Sequence, residues 1–161
     1  MIEFEFTGNW EVAGRVLKKL PNILKSSGIY GQRKAAETIV KIAKNHINNQ
    51  DLGWAPRAAR SSIADSRVLV HSEDYYGAIK AWKRGDEYYA GVSKDAVNSK
   101  GISITEYALA HEYGFGNMPQ RPLWEPSFKD IGGKKGVERI VKMAIKNKIS
   151  KLQVDGFEVY I

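Results

Sequence analysis

Hydrophobic positions along the chain fall into two rhythms, and each predicts its own kind of element. Ile2, Phe4 and Phe6 alternate with Glu3 and Glu5, which predicts an opening strand over 2–7. Asn9 is placed to cap a helix, and Ala13, Val16, Leu17, Leu20 and Leu24 follow at i, i+3, i+4, i+7 spacing. Pro21 interrupts that stripe and predicts a kink or a split, because proline removes a backbone donor and crowds the preceding turn. Ser26-Ser27-Gly28 reads as the next break. A second helix is expected from about Gly31 to Asn49, with Ala35, Ala36, Ile39, Val40, Ala43, His46 and Ile47 on its apolar face.

Residues 49–66 carry no clear period and read as a long functional loop or arm, with Trp54-Ala55-Pro56 extended and Arg57, Arg60 and Arg67 close by. Val68-Leu69-Val70 reads as a short strand. Tyr75 to Trp82 and Tyr88 to Val92 are β-prone and joined by Lys83-Arg84-Gly85-Asp86, a hairpin signal. After a polar loop, Ser103 and Glu106 form a capping box for a helix that ends at Gly114. Gly132-Gly133 precedes a last helix with Val137, Ile140, Val141, Ala144, Ile145 and Leu152 on one stripe. Asp155-Gly156 turns the chain into a closing strand of Phe157, Val159 and Ile161. These elements predict a single α+β domain over 1–161. A small antiparallel sheet would carry the hairpin and the terminal strands, with amphipathic helices packed on one face.

The stretch from His111 to Phe128 stands apart. It holds three of the five prolines, and Pro119, Pro122 and Pro126 predict a stiff extended path carrying Met118, Leu123, Trp124 and Phe128. Such a path reads as a built contact surface. Arg121, set between prolines, has two readings. It could cap carbonyls of its own chain, or pair with a carboxylate of a neighbouring subunit, and the second is preferred for its fork of donors.

Glu112-Tyr113-Gly114 closing a helix, then Met118-Pro119, Arg121-Pro122-Leu123, and Pro126 with Phe128, resembles the neck or tail-completion proteins of long-tailed bacteriophages. The specific part of the resemblance is 111–128, and a looser likeness covers most of the chain. The resemblance implies a structural virion protein that joins the head connector to the tail. It would be a ring, expected as a hexamer, around the DNA channel. Its partners would be itself and the connector and tail-tube or tail-terminator proteins. On this reading Glu112, Tyr113, Met118, Pro119, Arg121, Pro122, Leu123 and Trp124 are the interface residues. It would assemble in the bacterial host cytoplasm, and a cysteine-free chain suits a reducing compartment.

Charge adds one alternative. The formal net charge is +7 and the pI is near 9.5. The stripe of the last helix forces Lys135, Arg139, Lys142 and Lys146 outward, so these are the candidate DNA-facing residues for weak contact without sequence preference. The runner-up function is a small non-enzymatic nucleic-acid-binding protein that uses this helix and the aromatics Tyr75, Tyr76, Trp82, Tyr88 and Tyr89. Cross-strand packing is the favoured reading of those aromatics.

No enzyme chemistry is expected. His111-Glu112 lacks the second histidine of a zinc-protease helix, since position 115 is Phe. His46, His71 and His111 lie on three elements, and no metal or cofactor is expected. His46 is read as a partly buried packing residue. Glu106 and Glu112 lie on different helical faces, and no Gly-x-Ser-x-Gly elbow occurs. No apolar run is long enough to span a membrane, and the N-terminal alternation is not that of a signal peptide.

Overall fold

The computed structural model describes residues 3–6, 10–56, 69, 74–152 and 157–160. Their elements run β1 (Glu3–Phe6), α1 (Trp10–Asn49), α2 (Asp74–Ala78), β2 (Ile79–Arg84), β3 (Glu87–Val92), α3 (Ile104–Tyr113), α4 (Trp124–Asp130), α5 (Gly133–Ile149) and β4 (Phe157–Tyr160). The α+β class expected from the sequence holds. The Asn9 cap, the strand residues Val68 and Val70, the arm beyond Pro56, His71 and the Asp155-Gly156 turn lie outside the described residues.

The predicted break in the first helix does not occur: α1 is one helix through both Pro21 and Ser26-Ser27-Gly28. A buried line of Val16, Leu20, Ser27, Gly31 and Ala35 crosses the whole suspect region. An interior proline costs a helix about 3 kcal/mol. Burying a Val or Leu side chain returns about 1.5–3 kcal/mol, and Val16 and Leu20 are buried in the turns just before the proline, so packing wins. Ser26 and Ser27 do not compete with the helix either. Both hydroxyls donate to the Ile23 carbonyl, at 3.1 and 2.6 Å, a back-bond compatible with helical backbone.

This helix is the spine of the molecule. It packs along α5 on one side and against β2 and β3 on another, with α4 also in contact. At Gly31 the helices nearly touch: a Cβ there would lie 2.7 Å from the Val141 Cα. The core collects around the C-terminal half of α1, where Ala43 and Ile47 meet Leu69, Tyr75, Ile79, Ile104, Ala108 and Leu123.

The strands form two separate antiparallel pairs, where one small sheet was expected. β2 pairs with β3, with Trp82 opposite Tyr89. β1 pairs with β4, with Glu3 opposite Tyr160 and Phe6 opposite Phe157. The hairpin turns on Gly85, whose φ of 63° suits glycine. Residues 75–78, read as strand, belong to the short helix α2, which drives Tyr75 into the core, edge-on to Tyr107 at 5.7 Å. The Ser103 cap is present as predicted, its hydroxyl accepting from the Glu106 N–H at 3.2 Å.

Candidate assembly surface

The motif at 111–128 divides into a buried frame and an exposed edge. Glu112 belongs to the frame. Its carboxylate accepts the Leu123 N–H at 2.8 Å and the Trp124 N–H at 3.2 and 3.4 Å. Those amides open α4, whose first donors have no partner within the helix. A negative charge at that end is stabilising. Glu112 therefore supplies a cap that Leu123, the N-cap residue, cannot provide itself.

Arg121 is buried, at 5% exposure. Its Nε donates to the Ala55 carbonyl at 3.0 Å and its second guanidinium nitrogen to the Pro56 carbonyl at 3.1 Å. The remaining one lies 3.2 Å from Nδ1 of His111. This corrects the preferred reading. The guanidinium caps carbonyls within its own chain, and the neighbouring-subunit carboxylate is not needed to satisfy it. The Trp54 indole reinforces the same junction by donating to the Pro122 carbonyl at 3.0 Å. The base of the 49–66 segment is thus tied to the proline segment from both sides.

Leu123 is fully buried, and Trp124 packs against the core at partial burial. Neither is a surface anchor. The expected extended path also ends early, because Trp124 to Asp130 is helical. Pro126 fits there as an early residue of the first turn, where its missing N–H would lack a helical partner anyway.

The exposed edge lies elsewhere. Tyr113 is 69% exposed, Phe115 79% and Leu109 52%. They line an apolar groove of about 620 Å³ with Tyr107, Ala110 and Met118. Phe115 is presented by a tight turn in which the Met118 N–H donates to the Phe115 carbonyl at 2.9 Å. Gly114 and Gly116 supply positive φ values of 74° and 56°. Gln120 pins the edge by donating from Nε2 to the Tyr113 carbonyl at 2.9 Å. Pro119 is exposed beside it, while Pro122 is half-buried. Of the eight interface candidates, then, Tyr113, Met118 and Pro119 reach this edge. Glu112, Arg121, Pro122, Leu123 and Trp124 build its support.

Leu109 and Phe115 are not among the interface residues read from the sequence. The signal was available: α3 has apolar residues all around, with Ile104, Ala108 and His111 buried and Tyr107, Leu109 and Tyr113 outward. A helix that is apolar on both faces needs a second partner.

His111 packs its ring edge-on against Tyr107 at 4.4 Å. His46 is more than packing. It is buried between Asp51, 2.7 Å from Nδ1, and Asp130, 3.2 Å from Nε2. Its hydrogen bond holds the Asp51 carboxyl below the usual range. Among the described residues no group of three or more histidine and acidic side chains is arranged to hold a metal. The hairpin aromatics follow the packing reading: Trp82 stacks on Tyr89 at 5.9 Å, and Tyr76 receives Asn48 and sits under Lys44. Lys135, Arg139, Lys142 and Lys146 all face outward, as the stripe required. No helix among the described residues is long and apolar enough to cross a membrane. Set against family models, curated proteins and solved structures, the chain matches none of them.

Proposed function

We propose that this chain is a structural virion protein of the phage neck, a tail-completion protein that joins the head connector to the tail. In this reading it assembles as a hexameric ring around the DNA channel, with contact to DNA weak and independent of sequence. The similarity of the 111–128 motif to that family supports the reading. One observation of the fold carries it: the motif, together with Leu109 just before it on α3, mounts an exposed apolar edge of Leu109, Tyr113 and Phe115 on an internally hydrogen-bonded frame. Exposed apolar clusters of this kind mark interaction sites, and aromatic anchors dominate interface energetics.

The runner-up loses part of its basis, because Tyr75 is buried and Trp82 and Tyr76 are engaged in packing. Replacing both Tyr113 and Phe115 with serine tests the assembly reading. Light scattering should show an oligomer for the wild type and monomer for the variant, with melting unchanged because both side chains are exposed. An unaltered oligomer in the variant, or a wild type that stays monomeric at tens of micromolar alone and with tail protein, refutes it.

A further inference from the structure

We propose that the groove between α1 and α5 is a binding surface for the phosphodiester backbone of duplex nucleic acid. This differs from the outward row of the last helix, and it needs neither a ring nor a phage. Charge is sharply segregated in the fold. The helix α1, with α5 and the turn after it to Lys151, carries fifteen of the 25 basic residues but only Glu11, Glu37 and Glu138 of the 18 acidic ones. The remainder of the chain is net acidic. The two helices pack together as one basic layer, from which Lys25 and Lys44 reach out to Asp86 and Tyr76. A helix of this length spans about 60 Å at 1.5 Å per residue, which matches a linear polyanion better than a small ligand.

Within that layer a groove of about 480 Å³ opens between the helices. Ser26, Ser27 and Tyr30 form the α1 wall, and Asn147, Lys148 and Lys151 the other. Among the described residues no carboxylate lines it. Among the described residues Lys148 and Lys151 are held in no ion pair, whereas Lys25 is paired with Asp86 and both Arg33 and Lys34 with Glu37. Arg33 and Lys34 still add positive field at the rim, lying 5.2 and 5.7 Å from the centre of the Tyr30 ring.

The chemistry of the lining suits phosphate oxygens. Two ammonium groups act as unforked point charges, with a phenol and a carboxamide beside them as further donors. Such contacts fix a duplex without reading its sequence. An acidic protein segment, including the net-acidic side of a second copy, is the rival occupant, and the test separates the two.

Fluorescence anisotropy with a labelled 20-base-pair duplex, in two unrelated sequences and from 50 to 200 mM salt, gives the affinity and its salt slope. The full chain is compared with Lys148→Glu/Lys151→Glu and with Lys142→Glu/Lys146→Glu, an equal charge change on the outer face of the same helix. The groove pair should weaken binding at least tenfold at 50 mM salt and flatten the salt slope by about two, one counterion per lost phosphate contact. The outer pair should cost markedly less. Lys148→Gln/Lys151→Gln, which removes charge without reversing it, should show the same order and guards against a folding defect, checked by circular dichroism. Equal losses for the two pairs, or a greater loss for the outer pair, overturn the groove. So does strong sequence preference. A wild type that ignores DNA yet self-associates in a salt-sensitive way that the groove pair abolishes assigns the surface to protein instead.

Discussion

Removing the Glu112 carboxylate should destabilise the fold while leaving the exposed edge intact. In Glu112→Ala the Leu123 and Trp124 amides lose their acceptor. A hydrogen bond to a charged group is worth about 1.5–3 kcal/mol. Glu112 is only half-buried, so water replaces part of the lost interaction, and loss of a helix N-cap costs about 0.5–2 kcal/mol. The two amides together therefore predict about 2–3 kcal/mol. Leu123, buried at the centre of the core beside that cap, places the loss in global stability, not local fraying. For a domain of this size each kcal/mol moves the melting temperature by about 2–4 °C, so a fall of roughly 5–10 °C is expected. Glu112→Gln keeps one neutral acceptor and should recover about half. Urea denaturation with matched slopes gives the free energy directly. A Glu112→Ala protein within about 0.5 kcal/mol of wild type would refute the capping role. Normal melting with lost self-association would return Glu112 to the interface.

Arg121→Lys should cost about 2–4 kcal/mol, because a lysine leaves the Ala55 or Pro56 carbonyl without its donor; denaturation curves that superimpose on wild type reject the intrachain latch. Gly31→Ala should cost about 1–3 kcal/mol, since the new methyl meets the Val141 backbone and forces α1 and α5 apart; unchanged urea midpoints contradict that close approach. Burial pushes the Tyr75 hydroxyl far above its ordinary value. Its contribution is thus intact below the unfolded value near pH 10 and declines as pH rises past it, by up to about 1.4 kcal/mol per pH unit. The stability advantage of wild type over Tyr75→Phe should therefore shrink between pH 10 and 11, and parallel pH profiles argue against a buried hydroxyl.

The elements legible from sequence are those fixed within a few residues. The Ser103 cap, the Gly85 hairpin turn, the outward row from Lys135 to Lys146 and the alternation of the terminal strands each rest on a local period or one turn of backbone. Their physics is contained in the segment that shows it. The sequence alone also placed unusual weight on 111–128, because proline and glycine constrain backbone wherever they stand.

Tertiary structure decided which way that weight falls. Arg121 satisfies its donors on carbonyls 65 and 66 residues away. Glu112 finds its partners in backbone amides 11 and 12 residues on. Every residue carries such carbonyls and nearly every one such amides, so these partners leave no mark in composition or spacing. The same holds for α1: Pro21 weakens a helix locally, and only contact with α5 and the hairpin keeps it continuous. Leu123 and Phe115 are both large and apolar, yet one is fully buried and the other 79% exposed. Hydrophobicity states that a side chain favours leaving water; which surface takes it in depends on the packing of elements distant along the chain.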